Sequence, residues 1–439
     1  MKKLYTLSIA IFLSITVLFA QNEVVVNVGD NIITKIAEVE AGGTLLIMPG
    51  VHKASYANIL VDKSMTIKSN GGINDTRVHI SQIDIPANNI SLTIEGIIWS
   101  GAAVDSLTGV ETVSEAELEG DYFLNLITGE SLTFGDIIVK NSVINHFNRS
   151  VVRGDRDAYY AKLIRFENCI LNDYRGGGDY GPFRMKSKIT FDKFELIKCT
   201  MYKIPNKLID LQDMADFTCT VKIDHCTFYN WGGGKTGQYL FDIRNNGEAS
   251  LIITNSILGK TMIGEEVTVN GWRVADEEGN AIKYNEMSYS VMSTDFTLDA
   301  GTYAGTTFNK SEYNNTQDPG FTDPENGNFK IAEGTDLFFM SNEGTLVGDP
   351  RWANDPVSVN ELAKGSVKVY PTIASEAIFI DNDQFEKSNV KIYTTSGRLV
   401  MSVNNVSNNT AINIGTLDRG AYLMSVENEF QQTFRFLKK

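Results

Sequence analysis

The sequence predicts an all-β protein in which a parallel β-helix, or solenoid, is followed by a small Ig-like β-sandwich. Two observations lead to this prediction. The middle of the chain repeats with a period of 27 to 30 residues, and residues 367–439 alternate apolar and polar positions between Gly and Asn turns. A composition of 42% hydrophobic and 21% charged residues allows the large packed core that such a solenoid needs.

The repeat is clearest in one column of small residues. Five segments align, at spacings of 27, 30, 27 and 30 residues, on Ser142, Cys169, Cys199, Cys226 and Ser256. Each unit has room for two or three short strands and has no helical period, which is typical of one coil of a parallel β-helix. Stacked coils place equivalent residues about 4.8 Å apart. We therefore expect an interior thiol ladder, whose neighbouring cysteines are either free or joined by a disulfide.

The preceding column predicts the turn of each coil. It contains three asparagines, a lysine and a histidine: Asn141, Asn168, Lys198, His225 and Asn255. Asparagine tolerates a left-handed backbone and its amide can bond along the stack, so we predict an asparagine ladder. His225 is then a ladder substitute rather than a catalyst. At the N-terminal end, residues 32–39 are expected to form a short helix that caps the open first coil.

Net charge and missing motifs exclude several functions. The formal net charge is -15, which argues against a nucleic-acid binder held by phosphate contacts. Four histidines without an HExxH motif do not predict a zinc site, and no GxxxxGK[ST] phosphate loop is present.

The N-terminal residues predict export. Lys2 and Lys3 precede the apolar run Leu4–Ala20, which is typical of a signal peptide over residues 1–20. The run is short for a membrane span and no second one follows, so no transmembrane segment is expected in the mature chain. We expect the β-helix domain over residues 21–352, a linker over 353–366 and the sandwich over 367–439.

The C-terminal segments resemble a known export module. They are the Tyr370-Pro371 pair, the turn 395–398, the segment 417–422 and the basic terminus Lys438-Lys439. These segments resemble the C-terminal sorting domain of the type IX secretion system, although the usual Tyr-Pro-Asn-Pro ends here in Thr372-Ile373. The resemblance implies export through the periplasm to the outer cell surface or the extracellular space, with the secretion machinery as a partner. From the residues alone, an Ig-like accessory domain is the alternative.

The earlier part of the chain resembles a second family. The segments that carry the resemblance are GGTLLIMPGVH from residue 42, SLTIEGIIWS from residue 91, and the DPGF, NGNF and GDPRW sequences between residues 318 and 352. They are similar to the pectate-lyase-like, right-handed β-helix proteins, and among these to members with two domains of unknown function in tandem. The resemblance covers about residues 23–352. It implies a polysaccharide lyase, hydrolase or epimerase, with an acidic polysaccharide as the partner.

In such families ligands bind in an outward groove of one sheet, and alternation within four strands predicts where that groove lies. The strands are expected at residues 150–153, 183–186, 209–212 and 241–244. One predicted outward column contains Arg153, Lys186, Gln212 and Arg244. The neighbouring column contains Val151, Arg184, Asp210 and Asp242.

A lyase would use these columns for β-elimination. The reaction removes the C5 proton beside the C6 carboxyl group of a uronic acid and expels the glycosidic oxygen at C4. The carboxylate must be neutralised by arginine, lysine or Ca²⁺, and a base must reach the proton. Lys186, as the base, and Arg184 are therefore the candidate catalytic residues. The candidate substrate contacts are Arg153, Arg244, Gln212 and Tyr180, the last in a glycine-rich loop. Asp210 and Asp242 are expected to hold Ca²⁺ or to orient the arginines.

Two alternatives stay open at this point. Alternating Arg and Asp residues on stacked strands also form ordinary cross-strand ion pairs. Asp210 and Asp242 could also be the acid pair of a hydrolase, because neighbouring coils would place their backbones roughly 5 Å apart. The function predicted is a secreted lyase of acidic polysaccharides. The alternative function is a non-catalytic glycan-binding or cell-surface adhesion protein.

Overall fold

A computed structural model of the protein shows a stack of parallel strands followed by antiparallel sheets. It describes residues 22–53, 58–104, 111–112, 120–126, 132–154, 159–186, 189–214, 219–233, 239–245, 249–262, 270–275, 284–293, 309–310, 315–316, 318–331, 335–353, 367–382, 387–394, 398–427 and 431–439. Within these residues three long parallel sheets confirm the predicted parallel β-helix, and the C-terminal sheets confirm the sandwich. The predicted signal peptide and nearly all of the predicted linker lie outside the described residues.

Successive coils contribute their strands to three parallel sheets. Sheet 1 contains Glu23–Val26, Thr44–Ile47, Met65–Ser69, Ile90–Glu95, Leu132–Lys140, Tyr159–Glu167, Ile189–Ile197, Cys219–Asp224, Ala249–Thr254, Tyr284–Ser288 and Asn309–Lys310. Sheet 2 contains Gly50–Lys53, Thr76–His79, Ile98–Ser100, Val143–Asn145, Ile170–Asn172, Thr200–Ile204, Thr227–Trp231, Ile257–Leu258, Val291–Met292 and Asn315–Thr316. Sheet 3 contains Asn58–Leu60, Gln82–Asp84, Tyr122–Asn125, Ser150–Gly154, Phe183–Lys186, Ile209–Met214, Tyr239–Asn245 and Asn270–Ala275.

The remaining elements are short or belong to the C-terminal sandwich. Two small pairs join Ala103–Val104 to Glu111–Thr112 and Phe321–Asp323 to Asn328–Ile331. The α-helix is Ile32–Glu38, and the 3₁₀ helices are Gly177–Asp179, Pro324–Asn326, Asp336–Phe339 and Pro350–Trp352. One sandwich sheet contains Val367–Tyr370, Ala377–Asn382 and Ala411–Asn413. The other contains Ile373–Ala374, Lys387–Thr394, Leu399–Ser407, Gly420–Glu427 and Gln431–Lys438.

The core of the β-helix is built from apolar columns that run from coil to coil. In sheet 1, backbone pairing aligns one such column, whose members are all fully buried: Ile94, Val139, Phe166, Leu196 and Ile223. Each side chain of this kind stabilises the fold by roughly 1.5–3 kcal/mol relative to its exposed state. Period-2 alternation in each strand therefore turns into continuous buried stripes once the coils are stacked.

The two predicted ladders are confirmed between sheets 1 and 2. Positive φ angles of 51° to 53° occur at the five expected turn positions: Asn141, Asn168, Lys198, His225 and Asn255. The amide of Asn168 donates to Oδ1 of Asn141 at 2.7 Å, which links neighbouring coils as the asparagine ladder requires. The interior column beside it is fully buried at Ser142, Cys169, Cys199, Cys226 and Ser256.

The ladder cysteines are free thiols, as is Cys219, which is buried on sheet 1. Burial raises the pKa of the Cys219 thiol to about 12 and raises that of Cys169 well above its ordinary value. Because the thiolate is the reactive form, both effects suppress modification of these two thiols, and Cys199 and Cys226 are shielded from reagents by their complete burial.

We expect alkylation of the native protein to label none of its four cysteines and labelling in denaturant, without reductant, to reach all four. Intact-mass analysis reads out both numbers. A ladder disulfide would leave two cysteines unlabelled in denaturant, and rapid labelling of the native protein would show that the ladder is accessible.

A helix covers the first coil, as predicted. Asn31 caps it, since its side chain accepts hydrogen bonds from the backbone N–H groups of Ile33 and Thr34. The buried side chains Ile32 and Ile36 pack into the core of the β-helix. The helix thus covers apolar surface that the N-terminal end of the stack would expose to solvent.

The closing segment, defined as residues 318–331 and 335–353, packs against sheet 2. Its Phe329 contacts Tyr202 and Trp352, with ring centroids 5.2 and 5.4 Å apart. The fully buried carboxylate of Asp349 accepts a hydrogen bond from Oγ1 of Thr200 at 2.7 Å and pairs with Nε of Arg351 at 2.8 Å. Burial raises the pKa of Asp349 to about 6, although Arg351 and Thr200 act in the opposite direction.

The same segment bonds to several coils. The backbone N–H of Asp349 donates to Oγ1 of Thr227 at 2.9 Å. Nη2 of Arg351 donates to Oδ1 of Asn168 at 2.9 Å and to the carbonyl of Lys198 at 3.2 Å. Further along, the N–H of Gly348 donates to the carbonyl of Asn255 at 2.7 Å. The closing segment therefore runs across successive coils instead of ending on the last one.

Candidate functional site

The outer face of sheet 3 carries a ladder of polar side chains. Backbone pairing places six of them in one column on adjacent strands: Asp84, Asn125, Arg153, Arg184, Asp210 and Asp242. The residues directly before them on their strands, such as Ile83 and Phe183, are fully buried in the core. Acids, arginines and an amide therefore follow one another at the strand spacing of about 4.8 Å.

The register differs from the sequence prediction at one strand. Arg153 pairs with Arg184 and not with the column of Lys186. Val151, predicted to face outward, is fully buried in the core. The cause is that Val151 and Val152 are both buried, so apolar alternation does not define the phase of this strand. The observed pairing therefore places Arg153 beside Arg184 on neighbouring strands.

Three arginines and two tyrosines form the Arg–Tyr cluster, defined as Tyr122, Arg149, Arg153, Tyr180 and Arg184. The guanidinium carbon of Arg153 lies 4.7 Å from the ring centroid of Tyr122, and that of Arg184 lies 4.0 Å from the centroid of Tyr180. Arg149 lies beside both rings, at 5.8 and 5.5 Å. Such cation–π contacts fix flexible arginine side chains in place.

Hydrogen bonds and ion pairs hold the cluster. Nη1 of Arg149 donates to the hydroxyl of Tyr122 at 2.8 Å, and this bond raises the pKa of the arginine, against the lowering effect of burial. Nε of Arg149 lies 3.5 Å from Oδ1 of Asp121. Nη1 of Arg184 lies 3.9 Å from Oδ2 of Asp210. The arginines are thus charged and oriented from several sides.

A close backbone contact positions the loop that carries Tyr180. At Gly181, an added Cβ atom would lie 1.8 Å from the carbonyl oxygen of Lys207 on the next coil. Only glycine permits this approach. The loop therefore lies flat against the neighbouring coil, and Tyr180 reaches the arginines.

Lys207 neutralises two buried acids beside the cluster. Its Nζ lies 2.5 Å from Oδ2 of Asp242 and 3.4 Å from Oδ1 of Asp210. The side chains of Asp242 and Asp210 are 0% and 3% exposed. A Ca²⁺ ion could join these carboxylates only after the ammonium group had moved, so this donor set does not fit a resident calcium ion. Within the described ranges, no group of three or more His, Cys, Asp or Glu side chains has a metal-binding arrangement.

The structure brings together part of the predicted site. Arg153, Arg184 and Tyr180 meet in the Arg–Tyr cluster, and Asp210 and Asp242 share one column, as expected. The backbone of Lys186 pairs with that of Gln212, two positions along the strand from Arg184. The side chains of Lys186, Gln212 and Arg244 lie outside the part of the chain that the structure describes.

Three residues of the site were absent from the predicted set. Tyr122 begins a strand that follows an interruption of the sequence repeat after residue 101, so the repeat did not predict its register. Arg149 stands directly before the strand Ser150–Gly154, and Lys207 stands two residues before Ile209–Met214. The sequence feature that could have identified Arg149 and Lys207 is that each is a basic residue just before a strand of sheet 3.

Comparison with known proteins identifies two regions. Residues 221–352 match a family model described as a domain of unknown function (DUF5123), which covers the later coils and the closing segment. Residues 368–438 match the secretion system C-terminal sorting domain, in agreement with the resemblance of the sandwich. No curated protein matches the chain.

Fold and sorting domain together define the class: a parallel β-helix exported by type IX secretion to the cell surface or the extracellular space. In the described part of the chain, no helix is long and apolar enough to cross a membrane.

Proposed function

We propose that this exported β-helix binds an acidic polysaccharide across the Arg–Tyr cluster and cleaves it by β-elimination, as a pectate-lyase-like enzyme. The observation that carries the proposal is the cation–π contact of three guanidinium groups with two tyrosine rings at the outer face of sheet 3. A guanidinium group carries its N–H donors in a planar fork, which is the geometry that binds a carboxylate through two hydrogen bonds.

The arginines supply what elimination requires at the carboxyl group. Contact with a guanidinium neutralises the C6 carboxylate and stabilises the enolate-like transition state. The base then takes the C5 proton, the C–H electron pair forms the C4–C5 double bond, and the C4–O bond breaks as the departing oxygen takes a proton from water. Lys186 stays our candidate base, because it is two positions from Arg184 on the same strand. No step uses a metal ion.

The buried acids fit a positioning role. Asp210 pairs with Arg184, and Lys207 holds both Asp210 and Asp242. Carboxylates that are 0% and 3% exposed and share one ammonium group do not suit direct attack on a sugar, so hydrolysis by this pair is the weaker hypothesis. The second candidate is a non-catalytic glycan-binding or adhesion protein, which needs only the Arg–Tyr cluster.

The reaction is tested by ultraviolet absorbance of the unsaturated uronide product, with the full secreted chain and a panel of polyuronates. We expect a rise that Lys186→Ala abolishes and that Lys193→Ala, at an exposed lysine of sheet 1, leaves unchanged. A rise that survives Lys186→Ala would keep the lyase and refute the base. Binding without any rise would favour the adhesion protein.

Binding is tested at the centre of the cluster. We expect Arg149→Ala to weaken the affinity for a polyuronate by about tenfold or more, because it removes a charged donor and a cation–π contact of both tyrosines. Arg149→Lys should have an intermediate effect, since it keeps the charge and loses the planar fork. Isothermal titration calorimetry measures the affinities, with Arg77→Ala on sheet 2 as the matched control. Equal affinities for all four proteins would contradict a role of the cluster in binding.

A further inference from the structure

The N-terminal part of the polar ladder has a different chemistry from the Arg–Tyr cluster. We define the amide cluster as Asn58, Gln82, Asp84 and Asn125. Oδ1 of Asp84 accepts hydrogen bonds from the amides of Gln82 at 2.7 Å and Asn125 at 2.9 Å, and Oδ2 accepts one from Asn58 at 2.8 Å. The side chain of Asp84 is only 5% exposed, and Asn125 is 6% exposed.

Asp84 fixes the direction of the three amide groups. A carboxylate only accepts hydrogen bonds, so each amide must present its nitrogen to Asp84, and its oxygen does not bond to that carboxylate. The exposed Asn58 and the half-buried Gln82 therefore offer amide oxygens at the rim of the cluster, beside the negative charge of Asp84. Such a surface repels the carboxylate of a uronic acid and suits hydroxyl donors.

The two clusters are neighbours in one column of the sheet. Asn125 of the amide cluster pairs directly with Arg153 of the Arg–Tyr cluster, and Asp84 lies one strand further. Asp84 and Arg153 are thus two strands apart, or roughly 10 Å. A single glycan chain lying along the ladder would contact both.

We propose that the amide cluster binds an uncharged sugar residue of the same chain whose acidic residue lies on the Arg–Tyr cluster. The ligand is then a heteropolymer of acidic and uncharged sugars, with its uncharged residue toward the N-terminal coils. This inference rests on the proposed function and adds the composition and direction of the ligand. A chain made only of uronic acids would make favourable contacts with the Arg–Tyr cluster but not with the amide cluster.

The test compares two polymers on the full secreted chain by isothermal titration calorimetry. The probes are oligosaccharides of polygalacturonate, which is entirely acidic, and of rhamnogalacturonan, in which acidic and uncharged residues alternate. We expect rhamnogalacturonan oligosaccharides to bind more tightly. Asn58→Ala with Gln82→Ala, two residues at the rim of the cluster, should weaken that binding by about tenfold and leave polygalacturonate binding unchanged. Asn70→Ala, an exposed asparagine after a strand of sheet 1, is the matched control.

The outcomes separate this inference from the function on which it rests. If both polymers bind, Arg149→Ala weakens both, and the double variant affects neither, the amide cluster has no such role and the proposed function stands. Tighter binding of polygalacturonate than of rhamnogalacturonan would also refute the heteropolymer. Failure of both polymers to bind would overturn the inference together with the proposed function.

Discussion

Lys207→Met is expected to lower the free energy of unfolding at pH 7 by about 3–5 kcal/mol, the usual cost of removing one partner from a buried ion pair. The variant keeps the apolar stem but removes the ammonium group that lies against Asp242 and Asp210, whose side chains are 0% and 3% exposed. Two buried carboxylates on paired strands then repel each other without this charge. Chemical denaturation followed by circular dichroism measures the loss.

Two further variants identify the cause. Lys207→Met combined with Asp242→Asn should regain much of the lost stability, because it removes one of the two charges. Lys203→Met is the matched control, since Lys203 is 38% exposed and its ion pair with Asp173 spans 3.8 Å; it should cost less than about 1 kcal/mol. A loss for Lys207→Met no greater than for Lys203→Met would show that the shared ammonium group contributes little.

Asp349 is expected to make the stability of the β-helix depend on pH in an unusual direction. Burial raises the pKa of Asp349 from 3.8 to about 6, so the folded protein binds this proton more tightly than the unfolded chain. The resulting stabilisation is complete below about pH 4 and is lost as the pH rises through about 6. It corresponds to about 3 kcal/mol.

Asp349→Asn isolates this effect, because the amide keeps the shape and does not titrate. Between pH 4 and 7, the free energy of unfolding of the native sequence should fall relative to that of the variant by up to about 3 kcal/mol. Asp224 does not interfere in this window: its hydrogen bonds, against burial, lower its pKa below the ordinary value, and its stabilisation is lost only at more acidic pH. Parallel pH profiles for the two proteins would contradict the expectation.

The repeat made the scaffold predictable from the sequence. Ser142, Cys169, Cys199, Cys226 and Ser256 occupy one interior column because a coil of nearly constant length must return to the same place in the stack. The left-handed turns at Asn141, Asn168 and Asn255 followed from the conformational tolerance of asparagine. Local chemistry and a fixed period were enough for both features.

The site was predictable only in part, since its contacts depend on where different coils meet. Two buried valines left the phase of the strand with Arg153 undetermined, so Arg153 was expected beside Lys186 instead of Arg184. Tyr122 follows a stretch in which the sequence repeat is interrupted. Lys207 pairs with acids on the strand that follows it and on the strand of the next coil, a contact that the sequence repeat does not reveal.

The closing segment changes how the stack comes apart. In a simple solenoid each coil contacts only its two neighbours, so the end coils can unfold one at a time. Here the closing segment bonds to several coils at once. Arg351 bonds to Asn168 and Lys198, Asp349 bonds to Thr227, and Gly348 bonds to Asn255. Unfolding one of these coils disturbs the closing segment and so weakens its bonds to the other coils. The coils therefore unfold cooperatively instead of one by one. Extracellular proteases cut partly unfolded chains, and a β-helix that unfolds cooperatively populates few partly unfolded forms for them to cut.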